Sequence, residues 1–133
     1  MERKKIAIVG VGLIGGSLAI QLHEKKLSSK LIGVDANEEH AKKALELELV
    51  DQTLLLDEAI QQSDVIVLAI PVDTMVSLLP VILNKIDNQV VLDLGSTKSQ
   101  LIEAIKNHSK RGRYVATHPM WGTEYSGPAA AVR

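Results

Sequence analysis

A glycine-rich segment near the start of the chain has residue types and spacing suited to binding a phosphate. Gly10, Gly12 and Gly15 form a GxGxxG pattern that follows an apolar run and opens a stretch with helical spacing. In such a loop one glycine permits a tight turn, the next lets a pyrophosphate approach the backbone, and the third lets helix and strand pack closely. The first N–H groups of the helix, at Leu13 and Ile14, then face the phosphates. The pattern predicts a dinucleotide-binding loop.

An acidic residue follows this loop at the distance that ribose binding requires. Asp35 stands 20 residues after Gly15, at the end of a second predicted strand. Its carboxylate would accept hydrogen bonds from the adenosine ribose hydroxyls and repel a 2′-phosphate, and no arginine follows it directly. These residues predict NAD rather than NADP as the cofactor. The alternative is a glycine turn and a strand-end aspartate in a fold that binds no cofactor.

Later strands bring further residues to the same edge of the predicted sheet, where ligands bind in doubly wound folds. Ala69, Ile70 and Pro71 lie at the carboxyl end of the fourth strand and are predicted to contact the cofactor. Ser96 and His118 follow the fifth and sixth strands, which we expect to be neighbours about 4.8 Å apart. A histidine, whose ordinary pKa is about 6.5, suits removal of a hydroxyl proton as hydride leaves the same carbon. Ser96 and His118 are therefore the predicted catalytic pair.

Each of these polar residues also has a structural interpretation. Ser96 could cap the helix that follows it, and His118 could be satisfied by backbone groups at a strand end. Asp93 lies inside an apolar strand, where an unpaired carboxylate is costly, so we expect it to have a hydrogen-bond partner. The other three histidines are expected to be solvated on helix surfaces: His23, His40 and His108.

The elements that position these residues alternate between short apolar runs and longer amphipathic stretches. Strands are predicted over 5–9, 31–35, 53–56, 64–70, 89–94 and 113–117. Helices are predicted over 14–26, 38–49, 57–62, 72–86 and 97–108. Pro80 is expected to bend or break the fourth helix. The alternation predicts an α/β fold with a doubly wound parallel sheet of six strands, the Rossmann type.

The composition limits the possible functions of the chain. With 133 residues, 46% of them hydrophobic and none of them Phe, it suits a single domain with an aliphatic core. A net charge of −1 offers no basic surplus for nucleic acid or an anionic membrane. The absence of cysteine excludes disulfides, thiolate metal sites and cysteine nucleophiles, and we assign no metal. We expect a soluble cytoplasmic protein without a signal peptide or membrane span.

Three segments together resemble one family, the prephenate and arogenate dehydrogenases of tyrosine biosynthesis. They are residues 8–19 with the glycine loop, residues 93–98 (DLGSTK) and residues 118–127 (HPMWGTEYSG). The first occurs in many dehydrogenases, whereas the other two are much more specific in this order and spacing. The resemblance covers essentially the whole chain, although Trp121 stands where the family commonly has a small residue.

The resemblance implies NAD-dependent oxidative decarboxylation of prephenate to 4-hydroxyphenylpyruvate, or of arogenate to tyrosine. It implies that His118 accepts the hydroxyl proton, that Ser96 hydrogen-bonds near the substrate hydroxyl, and that Glu124 lies at the edge of the pocket. The family also has a helical domain that dimerises and supplies cationic substrate-binding groups. Because residues 1–133 contain nothing similar and end one turn into a helix, we expect them to be the cofactor-binding part of a longer, homodimeric enzyme, inactive alone. Another Rossmann reductase, such as a β-hydroxyacid dehydrogenase, and a non-catalytic NAD sensor are the alternatives.

Overall fold

Strands and α-helices alternate along the chain, of which this computed structural model describes residues 4–25, 28–93 and 99–115. The strands are β1 (Lys4–Val9), β2 (Ser28–Val34), β3 (Gln52–Thr53), β4 (Val65–Leu68), β5 (Val90–Asp93) and β6 (Tyr114–Val115). The helices are α1 (Leu13–Glu24), α2 (Glu38–Glu46), α3 (Leu56–Gln62), α4 (Val72–Lys85) and α5 (Ser99–Ile105). Every predicted strand and helix is present, with boundaries that differ by a few residues. Within the described ranges, no helix is long and apolar enough to cross a membrane.

The strands form one sheet in the order β3-β2-β1-β4-β5-β6, and all neighbouring strands are parallel. The chain winds outward from β1 to β3 and then returns to the centre and winds the other way from β4 to β6. The sheet is therefore doubly wound, which confirms the predicted fold class and the pairing of β5 with β6. Its switch point lies between β1 and β4, and the crevice at their carboxyl ends is where such sheets bind ligands.

Aliphatic side chains cover both faces of the sheet. Along β1, Ile6 and Ile8 belong to a buried cluster that includes residues of α1 and α2. Ala7 and Val9 belong to a second cluster, to which α3, α4 and α5 contribute. Because successive side chains of a strand point to opposite faces, β1 is buried on both sides, as its continuous apolar run predicts.

Helix α4 continues through Pro80, where the sequence predicts a bend or a break. Proline lacks the N–H that would bond to the fourth preceding carbonyl, which costs about 3 kcal/mol in a helix interior. Its neighbours Leu79, Ile82 and Leu83 are completely buried, and each burial is worth about 1.5–3 kcal/mol. The packing of this face outweighs the lost hydrogen bond, so a single helix spans Val72–Lys85.

Helix α2 ends at Glu46, three residues before the predicted end at Leu49. The carbonyl groups of Leu45 and Ala44 accept hydrogen bonds from the N–H groups of Glu48 and Leu49, at 3.0 and 2.9 Å. These two bonds form a Schellman motif, in which Glu48 adopts a positive φ of 57°. Glycine usually occupies that position, so the residue types at this turn do not reveal the end of the helix.

Candidate functional site

The glycine loop joins β1 to α1 at the carboxyl edge of the sheet. Gly10 has a φ of +96°, and a Cβ atom there would lie 2.5 Å from the carbonyl oxygen of Ala69. A Cβ atom on Gly15 would collide with the carbonyl oxygen of Gly10 and would lie 3.2 Å from Cγ2 of Ile8 on β1. Neither position has room for a side chain, which confirms the predicted tight turn and the close packing of helix against strand.

Gly12 differs from these two glycines because the space around it is open. It is exposed, and no described heavy atom beyond its chain neighbours lies within 4 Å of the position of a Cβ. It precedes α1, and in the described part of the chain no side chain caps this helix and no acidic residue lies in its first turn. The first N–H groups of a helix have no acceptor inside it, so those of Leu13 and Ile14 can bind an anion. The side chains of these two residues lie outside the description.

Asp35 connects the end of β2 with the glycine loop and with the start of α2. Its Oδ2 accepts a hydrogen bond from the N–H of Val11 at 3.0 Å, and its Oδ1 accepts one from the N–H of Asn37 at 2.8 Å. The side chain is 13% exposed, so the carboxylate is held in place and remains accessible to a ligand. Because a carboxylate has about four lone-pair sites, it retains capacity for two ribose hydroxyls.

An apolar hollow of about 540 Å³ lies beside Asp35, at the carboxyl ends of β1 and β2. Its size is within the range of small-molecule pockets. The residues that line it come from both sides of the switch point: Val9, Gly10, Val34, Asp35, Ala36, Leu54, Leu55, Leu56, Ile70, Pro71, Thr74 and Leu78. Of the three residues predicted after β4, Ile70 and Pro71 line the hollow, and Ala69 borders Gly10 instead. The hollow suits a flat apolar ring next to a carboxylate.

The sequence prediction omitted the wall that the β3–α3 connection and α4 contribute to this hollow. Leu54, Leu55 and Leu56 follow β3, and Thr74 and Leu78 belong to α4. Leu55 is 76% exposed, more than any other large apolar side chain among the described residues. The run of three leucines directly after a short strand could have indicated this wall. Such a run ordinarily predicts residues of the hydrophobic core.

His40 contacts the site, although the sequence predicts only solvation for it. Its Nδ1 lies 3.5 Å from Oδ2 of Asp35, and its side chain is 54% exposed. The prediction is also incomplete for His108, whose Nε2 shares a hydrogen bond of 2.7 Å with Oδ1 of Asn84. His23 is exposed near the end of α1, as predicted.

A hydrogen bond ties β5 to β6, the strands that precede the predicted catalytic residues. The Tyr114 hydroxyl donates to Oδ1 of Asp93 at 2.8 Å, and Asp93 is completely buried, so the expected partner of this carboxylate is present. Burial, and then the hydrogen bond to Asp93, raise the pKa of Tyr114 above the usual range of a phenol. The phenol therefore stays protonated and donates the hydrogen bond to Asp93. Ser96, His118 and Glu124 lie outside the described residues.

Replacing Tyr114 with phenylalanine is expected to lower the free energy of unfolding by about 1.5–3 kcal/mol, the usual contribution of a hydrogen bond to a charged group. Because the pKa of Tyr114 is raised on folding, this contribution is complete below the unfolded-state pKa of about 10 and is lost as the pH rises through the folded-state value. Urea unfolding of both chains at neutral pH and above about pH 10 measures the difference and its decrease.

A matched control for this variant is Glu103→Gln, which removes the exposed ion pair between Glu103 and Lys106 (2.7 Å). An exposed pair of this type contributes about 0.3–0.5 kcal/mol. If Tyr114→Phe were no more harmful than this control at neutral pH, the bond to Asp93 would not stabilise the fold.

Comparison with known proteins relates this geometry to one family. A family model described as the nucleotide-binding domain of prephenate dehydrogenase matches residues 18–133. The prephenate dehydrogenases of Lactococcus lactis and Bacillus subtilis are 33% and 32% identical to the chain, over 96% and 95% of its length. These matches cover 37% and 35% of the two relatives, so the chain spans a little over a third of their length.

Solved structures show the same relation. Prephenate dehydrogenase from Aquifex aeolicus, in complex with hydroxyphenyl propionate and NAD+, is 30% identical with a TM-score of 0.80, covering 93% of this chain and 44% of that one. Arogenate dehydrogenase from Synechocystis is 31% identical with a TM-score of 0.74, covering 90% of this chain and 42% of that one. Lactate dehydrogenase from Eimeria maxima, at 18% identity and a TM-score of 0.67, shares the fold alone.

Proposed function

This chain belongs to the family of the prephenate dehydrogenase nucleotide-binding domain, and we propose that it binds NAD as the cofactor-binding part of a dehydrogenase acting on prephenate or arogenate. The observation that carries the proposal is the position of Asp35. Its carboxylate is bonded to Val11 of the glycine loop at 3.0 Å and borders the apolar hollow of about 540 Å³. In the proposed mode Asp35 accepts from the ribose between a phosphate site and a site for a ring, the order in which the parts of a dinucleotide follow one another.

Each part of the adenosine diphosphate moiety has a group of matching chemistry in the described residues. The adenine ring would occupy the hollow, against Leu55 and Ile70. The ribose hydroxyls would donate to Asp35, and the pyrophosphate would accept from the first N–H groups of α1. The open space around Gly12 fits this group, because nothing described there obstructs its approach to the backbone.

The proposed reaction is oxidation of the substrate's ring hydroxyl with loss of CO2, which makes the ring aromatic. When bound, NAD supplies the hydride acceptor. His118 is proposed to accept the hydroxyl proton, Ser96 to hydrogen-bond beside that hydroxyl, and Glu124 to border the substrate. Cationic groups for the substrate carboxylates are proposed to come from a second domain of a cytoplasmic homodimer. Residues 1–133 alone would then bind NAD without turning over the substrate.

Replacing Asp35 with asparagine is expected to weaken NAD binding by about 10- to 100-fold, because charge-assisted hydrogen bonds contribute about 1.5–3 kcal/mol. The variant should also discriminate less between NAD and NADP, since the charge that repels the 2′-phosphate is gone. Isothermal titration of the 133-residue chain with each dinucleotide measures both effects.

Asp64→Asn is the matched control. Oδ2 of Asp64 accepts a hydrogen bond from the N–H of Lys5 at 2.9 Å, so it too is a carboxylate bonded to a neighbouring strand. It precedes β4 at the opposite edge of the sheet, and its loss should leave NAD affinity unchanged. Equal affinity of the wild-type chain for NAD and NADP would contradict the role of Asp35. Absence of NAD binding at millimolar concentration would contradict the proposed function.

A further inference from the structure

One imidazole beside the ribose site has no part in the function proposed so far. His40 is the third residue of α2, and its Nδ1 lies 3.5 Å from Oδ2 of Asp35. The same oxygen accepts the N–H of Val11 at 3.0 Å, which fixes the carboxylate between the loop and the helix. A hydroxyl bonded to this carboxylate lies within about 3 Å of it, so a ribose there is within about 7 Å of the imidazole. A phosphate on that ribose would come within direct reach.

We propose that His40 is a second determinant of dinucleotide choice, which in its protonated form binds a 2′-phosphate and admits NADP. This rests on the NAD-binding role proposed for Asp35. A neutral imidazole leaves the carboxylate as the dominant charge, so the phosphate is repelled. An imidazolium carries donors on both ring nitrogens, offsets the charge of Asp35 and offers the phosphate a charge-assisted hydrogen bond.

The charges around His40 decide whether one added positive charge on its imidazole is enough to bind a 2′-phosphate. In the described part of the chain, Asp35 is the one ion-pair partner of His40, and the adjacent glycine loop contributes only the uncharged Val11 N–H. Asp35 also lines a second hollow, of about 460 Å³, together with charged groups from α2 and α3: Glu38, Lys42 and Glu58. On α2 itself, Glu39 precedes His40 and Lys43 follows one turn later. With two lysines against several carboxylates, this surface rejects a phosphate until the imidazole is charged.

Acidification also protonates the phosphate of NADP, whose second pKa is about 6, so pH dependence alone does not identify His40. The test therefore compares the wild-type chain with His40→Gln, which keeps a polar side chain and cannot gain a charge. Isothermal titration with NAD and NADP at about pH 8 and about pH 5.8 gives the ratio of the two affinities. In the wild type we expect acidification to shift this ratio toward NADP by about tenfold, the effect of one charge-assisted hydrogen bond. In His40→Gln only protonation of the phosphate itself remains, so we expect a smaller shift than in the wild type.

Two further variants separate the contribution of His40 from other effects of acid. His23→Gln removes an exposed imidazole at the far end of α1 and should retain the wild-type shift. His40→Lys carries its charge at about pH 8 and should raise NADP affinity there by about tenfold, without any acidification.

An equal shift in the wild type and His40→Gln, or no shift in the wild type, would overturn the proposal while leaving NAD binding intact. No gain of NADP affinity in His40→Lys would also count against it. Failure of the wild-type chain to bind NAD at about pH 8 is the separate result that would refute the proposed function, and this proposal with it.

Discussion

A Gly15→Ala chain is expected to lose about 2–3 kcal/mol of unfolding free energy, although alanine is the better helix former. The added Cβ would collide with the carbonyl oxygen of Gly10 and lie 3.2 Å from Cγ2 of Ile8. Gly10 has no room to move, because its N–H is bonded to the carbonyl of Val34 at 2.6 Å and it packs directly against Ala69. Overpacking against the backbone costs more than the roughly 1 kcal/mol by which alanine is more favourable than glycine in a helix.

Gly12→Ala is the matched comparison, since a Cβ at Gly12 meets no described atom within 4 Å. Its stability should fall by less than about 1 kcal/mol, the usual difference between glycine and alanine at such a position. Its NAD affinity should fall by about tenfold or more, because the methyl group occupies the approach of the pyrophosphate. Urea unfolding and NAD titration of both variants separate packing from binding. A fully stable Gly15→Ala chain would refute the packing described for the loop, and normal NAD binding by Gly12→Ala would refute the phosphate position.

His118→Asn in the complete enzyme should reduce kcat by about 10²–10⁴, the usual contribution of a general base. Its affinity for NAD should barely change, because the histidine is proposed to act on the substrate hydroxyl rather than on the cofactor. Ser96→Ala should have a smaller effect on kcat, with some loss of stability if this serine also caps a helix. Steady-state kinetics with prephenate and with arogenate, together with NAD titration of the same variants, measure these effects.

His108→Gln is the control for the loss of an imidazole elsewhere in the chain. His108 lies between α5 and β6 and shares a hydrogen bond with Asn84 of α4, so its replacement should leave kcat unchanged. A His118→Asn enzyme with the kcat of the wild type would return His118 to a structural role at the end of a strand.

The doubly wound parallel sheet could be predicted because each part of the pattern is local in sequence. Apolar runs separated by amphipathic stretches require parallel strands with helical crossovers, and a glycine loop after the first strand is typical of this fold. Element ends were harder to predict because they depend on conformation and packing. Glu48 ends α2 in a conformation usually reserved for glycine, and Pro80 remains inside α4 because its buried neighbours hold it there.

The candidate site, too, could be predicted where it depends on sequence spacing and could not be predicted where it depends on packing. The spacing of Gly10, Gly15 and Asp35 along the chain predicted which residues meet at the edge of the sheet. The spacing could not predict that Asp35 also accepts a hydrogen bond from the loop, because this depends on the side-chain rotamer and on how closely β1 and β2 end. It likewise could not predict that the first turn of α2 brings His40 to the same oxygen, or that Leu55 is exposed. These are contacts between elements whose relative positions only the tertiary structure sets.

The central place of β1 in the sheet has a consequence for the synthesis of the protein. β1 precedes the other strands in the chain, yet it pairs with β4 on one side, and the bonded residues Lys5 and Asp64 are 59 positions apart. A ribosome that adds about 5–20 residues per second needs roughly 3–12 s to cover this distance. Throughout this interval one edge of an apolar strand has unpaired N–H and C=O groups, the kind of edge through which nascent chains aggregate. The rate of translation between β1 and β4 therefore sets how long this edge of β1 waits for its partner strand.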